Sequence, residues 1–220
     1  MTAVETRGRP RLRDDEEILV AALQAFAAHG FDSMSVRTLN ADLGLSNGTI
    51  NQRFGSKEQL YFAAVDHGFD TFLAEIDAER NRRPVTGDDL DALRELIRAF
   101  LLTAARRPEL GRLMNQEGLH HTDRLDYIRR TVIDPTFATT GELIDRLVAA
   151  GRIHPVSSRL VFFLVAHGAE APYTLTALSA AFDDHDGPLD IASHAETVTD
   201  VIVRGLIRSS QPVQPRQPSS

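Results

Sequence analysis

Apolar residues recur along most of this chain at intervals of three and four positions, which is the spacing of one face of an α-helix. The strict alternation expected of β-strands is scarce. At the start of the first periodic stretch Asp14 and Glu17 resemble a capping box, and Gly30 is expected to end the helix. The inner face of this helix comprises Ile18, Ala22, Ala25, Phe26 and His29. The pattern predicts an all-α protein.

Two short helices are predicted next, with a tight turn between them. The first runs from about Ser35 to Leu43, where Gly44 ends it. Ser46 is expected to cap the second, and Gly55 to end it. Two short helices joined in this way form a helix-turn-helix.

A longer fourth helix is predicted to begin at the Ser56–Gln59 capping box and to extend to about Arg80. A loop follows at 81–89, where Asn, Pro, Gly and Asp cluster. The remaining periodic segments predict helices at about 88–105, 109–119, 123–150, 157–182 and 190–208, which makes about nine helices in all.

The same patterns predict a small N-terminal head joined to a larger helical body. A chain of 220 residues is long enough for one sizeable core or for one small and one medium domain. The expected division is a basic disordered arm at 1–13, a helix-turn-helix domain at 14–60, a helical body at 61–208, and a disordered tail at 209–220.

Composition narrows the classes of function. The net charge is −7, which argues against indiscriminate nucleic-acid binding, although local charge decides contact. The absence of cysteine excludes disulfides, and without a signal peptide or a membrane-spanning run a cytoplasmic location is expected. No nucleophile elbow, phosphate-binding loop or dinucleotide fingerprint occurs, so we expect no enzyme activity, no cofactor and no metal.

The helix-turn-helix segment carries an unusual run of polar residues between apolar anchors. Leu45 is expected to plug the turn, and Ile50 and Phe54 to hold the third helix against its neighbours. Asn and Gln side chains pair with adenine in a DNA major groove, and the methyl group of Thr can contact that of thymine. The side chains left facing outward are Asn47, Thr49, Asn51, Gln52 and Arg53.

Phosphate contacts are expected to frame this surface. Gly48 permits close approach of the backbone, and the N–H groups near Ser46 can meet a phosphate. Further predicted DNA contacts are Ser35 and Arg37 at the start of the second helix, Lys57 at the start of the fourth, and Arg9 in the arm. The arm sequence Arg7–Pro10 is like a minor-groove hook, and the alternative is a disordered basic tail.

The segment FAAHGFDSMSVRTLNADLGLSNGTINQRFGSKEQLYFAAV resembles the N-terminal domain of TetR/AcrR transcriptional regulators, over about residues 14–66. Within this segment five features follow one another in a fixed order, namely F-x-x-x-G-F, S-V-R, L-G-x-S-x-G-T, a Phe and S-K-E-x-L. The resemblance implies a homodimer that binds double-stranded DNA at a palindromic operator. It also implies that the body at 61–208 is a C-terminal domain that binds a small-molecule effector and carries the dimer interface.

Two residues depart from the pattern of that family. Asn51 stands where an aromatic residue, often Tyr, is usual, so a phosphate contact is lost or becomes a base contact. Asn40 stands where Ala is usual, at the crossing of two helices, and a buried Asn needs hydrogen-bond partners. Both departures concern the operator sequence more than DNA binding itself.

The body offers candidate effector and dimer residues. The apolar candidates for the effector site could equally be plain core. The predicted effector contacts are Phe100, Met114, Asn115, Glu117, Phe137, Phe162, His167 and Tyr173. By resemblance, the last two long helices pair with their mates in a dimer through Leu160, Phe163, Leu164, Val198, Val201, Ile202, Gly205 and Leu206.

Two polar pairs in the body have several interpretations. Glu117 and His120 have the Glu-x-x-His spacing of di-iron bundles, but the motif occurs once, and a polar pair in a loop or pocket is favoured. His167 and Glu170 lie in an otherwise apolar helix. They could face a dimer partner, line a pocket or satisfy each other.

The leading hypothesis is a ligand-responsive transcriptional repressor. A DNA-binding regulator without a small effector, controlled by a protein partner, is the alternative. An all-α metal enzyme that kept a vestigial head is a remote one.

Overall fold

The computed structural model describes residues 13–83 and 87–208. Within these ranges the chain is helical and forms no β-strand, which confirms the predicted all-α class. The predicted arm up to residue 12, with Arg9, and the predicted tail at 209–220 lie outside the described residues, as do residues 84–86 of the predicted loop.

Thirteen α-helical segments and two π-helical turns occupy the described ranges. The α-helices are α1 Asp15–Ser33, α2 Val36–Asp42, α3 Thr49–Phe54, α4 Lys57–Arg82, α5 Asp89–Arg106, α6 Pro108–Glu117, α7 Asp123–Ile128, α8 Asp134–Ala149, α9 Ser158–Phe163, α10 Ala171–Thr174, α11 Thr176–Ala180, α12 Asp183–Asp186 and α13 Ile191–Leu206. The π-helical turns are Arg129–Ile133, between α7 and α8, and Leu164–Ala169, after α9.

The count exceeds the predicted nine because two long predicted helices are interrupted. The predicted helix at 123–150 contains the first π-helical turn, and the predicted helix at 157–182 contains the second and then breaks into short pieces. Pro135 follows the first turn and Pro172 the second. Because proline has no N–H to donate, the regular i→i−4 bonding cannot continue through it.

The predicted helix ends in the head follow from local sequence. Asp14 accepts the backbone N–H of Glu17 at 2.7 Å, which caps α1, and the backbone of α1 leaves helical geometry at Gly30, with φ of 75°. The capping box of Ser56 and Gln59 starts α4, with both of its hydrogen bonds formed. These local signals therefore fix where α1 and α4 begin.

The head core lies between α1, α2, α3 and the first half of α4. Ile18, Phe26, Ile50 and Tyr61 are almost completely buried, and the rings of Phe26 and Tyr61 meet edge to face at 5.0 Å. α4 then continues without a break into the body, where it packs against α5. One rigid helix of 26 residues, about 39 Å long, therefore joins the two regions.

None of the helices in the described parts of the chain is both long enough and apolar enough to cross a membrane.

Candidate functional site

The turn of the helix-turn-helix forms as predicted. α2 ends at Asp42, and Gly44 adopts a left-handed conformation with φ of 67°. The chain reverses there, and the backbone N–H of Leu45 donates to the carbonyl oxygen of Asn40 at 2.8 Å. Leu45 packs partly buried against the core, which is the plugging role expected of it.

Asn40 is the residue that ties the two short helices together. Its side chain is buried, with 2% of the residue exposed. Its Nδ2 donates to the carbonyl oxygen of Val36 at 3.0 Å, and its Oδ1 accepts the backbone N–H of Ile50 at 3.3 Å. Both polar ends of the buried amide are therefore satisfied, and α3 is held in one position relative to α2.

The prediction that Ser46 caps α3 is wrong. The residue before α3 is Gly48, with φ of 89° and no capping side chain, and α3 begins at Thr49. The Ser46 hydroxyl instead meets that of Thr49 at 2.7 Å. The side-chain bond to the first turn comes from Asn40, across the fold, so no local capping residue is needed.

The amides on α3 and in the turn before it face the outside. Asn47 in the turn and Asn51 and Gln52 on α3 are exposed, and Thr49 is half-buried. Ile50, 1% exposed, and Phe54 anchor the opposite face of the helix. The arrangement is a short polar surface on a rigid base, with the dimensions of a helix that fits a major groove.

Arg53 is engaged with the start of α1. Its guanidinium donates to the carbonyl oxygen of Arg13 at 2.6 Å and forms an ion pair with Asp15 at 2.5 Å. This contact fixes the end of α3 against α1. Arg53 would have to leave Asp15 before it could contact DNA with its full charge.

The flanking residues of the predicted DNA surface also have structural contacts. Ser35 caps α2 by accepting the backbone N–H of Thr38 at 3.3 Å, and Arg37 is exposed on the first turn of α2. Lys57 is half-buried, and its Nζ donates to the carbonyl oxygen of Asp32 at 3.1 Å and lies 4.9 Å from the ring centre of Phe31. Lys57 thus joins the head to the start of α4.

A cavity of about 470 Å³ opens in the body between α4, α5, α6, α8 and α9. Its wall is mainly apolar, and it lies in the size range of small-molecule sites. Five of the eight predicted effector residues line it, namely Phe100, Met114, Phe137, Phe162 and His167. Asn115 lies behind the wall, where its Oδ1 accepts from Nδ1 of His167 at 2.7 Å.

Glu117 and Tyr173 do not line the cavity, contrary to prediction. Glu117 is buried and forms an ion pair with Arg124 at 2.9 Å, while its other oxygen accepts from the Thr122 hydroxyl. Tyr173 is also buried, and its ring packs edge to face on His194 at 5.5 Å. The break after the second π-helical turn rotates α10, so Tyr173 faces α13.

Glu170 lines the cavity, which is one of the three roles that the sequence allows it, although it is not among the predicted effector contacts. It is 4% exposed, and burial raises the pKa of its carboxyl to about 7. Burial also lowers the pKa of His167, one turn away. The i, i+3 spacing of two ionisable residues in an apolar helix was the signal that could have identified Glu170.

No group of three or more His, Asp or Glu in the described residues is arranged to hold a metal ion. Glu117 of the Glu-x-x-His pair is held by Arg124, and His120 is exposed in the turn after α6. The pair is therefore a structural ion-pair residue followed by a surface histidine.

An exposed apolar face covers the late helices. Leu160, Phe163, Leu164 and Val201 are 48%, 55%, 42% and 66% exposed. Gly205 is also exposed, whereas Val198 and Ile202 are half-buried. Leu206, predicted on this face, is buried at 5% inside the protomer, where its carbonyl oxygen accepts from His154. Leu175, Leu178 and Phe182, between these helices in the chain, are also exposed, which the sequence did not predict.

The comparisons with known proteins agree with the N-terminal resemblance. The profile of the family described as "Bacterial regulatory proteins, tetR family" matches residues 18–64. The HTH-type transcriptional repressor NicS of Pseudomonas putida is 30% identical over 119 residues, 54% of this chain and 54% of NicS. The chain thus spans about half the length of this relative.

Two further proteins match over most of their length. The HTH-type transcriptional regulator RutR of Escherichia coli (strain K12) is 27% identical over 216 residues, 93% of this chain and 97% of RutR. A solved bacterial regulatory protein in the tetR family from Rhodococcus RHA1 shares the fold with a TM-score of 0.63 at 20% identity, over 90% of this chain and 100% of that one.

The N-terminal match, the helix-turn-helix built on Asn40 and the shared fold lead to one conclusion. Residues 18–64 are similar to the tetR family of bacterial regulatory proteins, and the chain shares its fold with a solved protein of that family.

Proposed function

We propose that this protein is a homodimeric transcriptional repressor that binds a palindromic DNA operator and is released from it by a small-molecule effector. The observation that carries the proposal is the surface of α3. Its amide side chains are exposed, while Ile50 and the Asn40 bridge hold the helix from beneath.

The chemistry of α3 suits base edges better than phosphates. Asn51 and Gln52 offer paired donor and acceptor atoms, which match the N6 and N7 positions of adenine. Arg53 is occupied by Asp15, and three acidic residues stand in the first turn of α1. This local negative charge disfavours non-specific attraction to DNA, so specific contacts must supply more of the affinity.

The exposed apolar face on the late helices supports dimerisation. Phe163 on α9 and Val201 on α13 are more than half exposed. Brought together on one surface, such residues would form an apolar patch of the kind that is typical of an interface. A twofold dimer through this face would present two copies of α3 to successive major grooves about 34–36 Å apart, or a multiple of that spacing. The operator would then be a palindrome.

Two helices connect the cavity with the head. α4 lines the cavity with Phe69 and Phe72 and begins beneath the head at its capping box. α6 lines it with Met114 and also reaches α1, because Nε2 of Gln116 donates to the carbonyl oxygen of Ala27 at 3.0 Å. Effector binding would shift α4 and α6 and thereby separate the two heads.

The first test is selection of bound sequences from a random duplex pool by the full-length protein. We expect enrichment of one palindromic sequence with two half-sites. Equal recovery of all duplexes would contradict sequence-specific binding and overturn the proposal.

The second test measures affinity for the selected duplex after removal of single amides. Asn51→Ala or Gln52→Ala should each weaken binding by about 1–3 kcal/mol, because a base contact is lost. Asn81→Ala is the matched control, since it removes an exposed amide at the far end of α4. An equal loss in all three variants would contradict readout by α3.

The third test concerns the dimer face. Phe163→Glu and Val201→Glu should each shift the protein from dimer to monomer in sedimentation equilibrium and reduce operator affinity. Leu119→Glu is the control, because Leu119 is 74% exposed but follows α6, outside the face. Dimers that survive both face variants would place the interface elsewhere.

The fourth test concerns the effector. Compounds that raise the melting temperature of the protein are tested for release of the labelled operator by fluorescence anisotropy. Effector control predicts that compounds binding in the cavity lower operator affinity by about 1–3 kcal/mol. Stabilising compounds that leave the affinity unchanged would favour a regulator without a small effector.

A further inference from the structure

Among the residues of the cavity wall, Glu170 most clearly lacks a polar partner for its side chain. It is 4% exposed, yet its carboxyl has no hydrogen bond and no ion pair with any of the described residues. Burial is the whole cause of its raised pKa, with no neighbouring charge contributing. A buried carboxylate without a partner is costly, and such groups in clefts mark candidate binding sites.

The backbone leaves room for this carboxyl by means of a glycine. A Cβ at Gly111 on α6 would overlap Oε1 of Glu170 and come within 2.7 Å of the Thr174 methyl group. Gly111 and Glu170 both line the cavity. The close approach of α6 therefore holds the carboxyl at the cavity wall.

His167 adds a second acceptor beside Glu170. Its Nδ1 donates to Oδ1 of Asn115 at 2.7 Å, and burial lowers its pKa, which keeps the ring neutral near pH 7. With the proton on Nδ1, Nε2 carries a lone pair that can accept a hydrogen bond. This end of the cavity thus offers acceptors, and its ligand must bring donors.

The positive charges of the cavity wall are already balanced. Arg107 pairs with Glu75 at 2.6 Å, and Arg80 pairs with Asp77 at 3.5 Å. An anionic ligand would have to break one of these pairs. Glu170 stands without a described cation, so the cavity has an uncompensated negative charge once Glu170 ionises.

Aromatic rings surround the same space. Phe137 and Phe162 lie 5.4 Å apart, and Phe72 and Phe100 lie 5.5 Å apart, all four in the cavity wall. The face of an aromatic ring attracts a cation, and aromatic rings also pack against the apolar part of a ligand. The wall therefore suits a molecule that is mostly apolar and carries one positive charge.

We propose that the cavity binds an organic cation, with an apolar body among the phenylalanines and a protonated nitrogen donating to Glu170 and His167. This inference rests on the proposed function, because the cation would be the effector that releases the operator.

The test uses three probes of equal chain length, namely decylammonium, 1-decanol and decanoate, titrated calorimetrically into the full-length protein at pH 8. Decylammonium should bind most tightly, because Glu170 is ionised at that pH. Glu170→Gln should weaken decylammonium binding by about tenfold or more, since a charge-assisted bond is lost, and leave 1-decanol within about twofold.

Glu142→Gln is the matched control, because it removes an exposed acidic group of α8 that does not line the cavity. It should leave decylammonium affinity unchanged. A loss in Glu142→Gln equal to or larger than the loss in Glu170→Gln would overturn the inference, and so would tighter binding of decanoate or of 1-decanol than of decylammonium, or binding of none of the three. If Glu170→Gln fails to fold, the order of the three probes on the unmodified protein decides.

Release of the labelled operator is measured on the same samples. Decylammonium that binds through Glu170 without releasing DNA would support the ligand class and contradict effector control. Decanoate that binds and releases DNA would contradict the ligand class and support effector control. The two proposals can therefore fail separately.

Discussion

The head and the body each bury a polar side chain in an apolar setting, and they treat it in opposite ways. In the head, both ends of Asn40 are bonded within ten residues of the chain. In the body, Glu170 is almost as completely buried but has no partner among the described residues. A satisfied group holds one geometry, whereas an unsatisfied one leaves a requirement that a ligand can meet.

The backbone is also more regular in the head than in the body. α3 and α4 begin at defined residues, and the head glycines take the left-handed conformations that its turns require. In the body, two π-helical turns and the short pieces α10 to α12 interrupt what the apolar pattern predicts as long helices. Such interruptions often occur at functional sites, and both π-helical turns here contribute residues to the cavity wall.

The largest effect is expected from Glu170→Gln. Glu170 has a raised pKa of about 7 in the folded protein against 4.5 without burial, so the folded state binds more protons between these values. Ionisation of the buried Glu170 carboxyl lowers the free energy of unfolding. This loss is absent below pH 4.5, grows as the pH rises, and is complete above pH 7. The variant should therefore gain about 3 kcal/mol in free energy of unfolding relative to the unmodified protein between pH 4 and pH 8.

This prediction is measured by urea unfolding at several pH values. The titratable groups near Glu170 include His167, Tyr173 on α10, His194 on α13 and Arg112 on α6, and all four remain in the variant. Glu142→Gln, on the exposed face of α8, is the control and should give a flat difference. If the difference in free energy of unfolding between Glu170→Gln and the unmodified protein is also independent of pH, the Glu170 carboxyl is already paired.

The next effect is expected from Asn40→Ala. Removing the amide leaves the backbone N–H of Ile50 and the carbonyl of Val36 without their side-chain partner. The free energy of unfolding should fall by about 2 kcal/mol. Thermal and urea unfolding check this, and Asn47→Ala, in the exposed turn between α2 and α3, should change stability little. Unchanged stability in Asn40→Ala would remove the proposed rigidity of the head.

A smaller effect is expected at the boundary between the two regions. Ser56→Ala removes the hydroxyl that accepts the N–H of Gln59 at 3.1 Å and caps α4. The cost should be about 1 kcal/mol. Hydrogen exchange should show the loss in the first turn of α4, while the amides around Ile76 keep their protection. Faster exchange along the whole helix would show that α4 does not act as one rigid connector.

The smallest effect is expected from Arg53→Gln. Its ion pair with Asp15 is largely at the surface, where such pairs contribute about 0–1 kcal/mol. The free energy of unfolding should change by less than about 1 kcal/mol, as measured by urea unfolding. A larger loss would show that the contact between α3 and α1 is essential to the head.

The local sequence was sufficient to predict those helix ends that depend only on neighbouring residues. Gly44 and Gly55 ended their helices as predicted, because the chain requires left-handed or otherwise non-helical backbone there. Ser46 failed as a cap because Asn40, which reaches α3 from another helix, provides the bond instead. No reading of residues 46–49 alone could show this.

The wrong predictions in the body also arose because a residue distant in the chain supplies the contact. Glu117 was predicted in the effector site, but Arg124, from the next helix, pairs with it. Leu206 fits the apolar period of α13, yet it turns into the protomer beside Ile153 and Ile207. Periodicity identifies an apolar stripe, but the fold decides which part of the stripe is covered by the same chain.

If the amides on α3 and in the turn before it read bases rather than merely attract DNA, their removal must abolish the preference for one sequence. The most direct measurement is the ratio of affinities for the selected operator and for a scrambled duplex, compared between a triple Asn47→Ala, Asn51→Ala, Gln52→Ala variant and Asn81→Ala. We expect this ratio to fall to near one in the triple variant, while salt-dependent binding to the scrambled duplex persists. A ratio that stays high in the triple variant would contradict base readout by these amides.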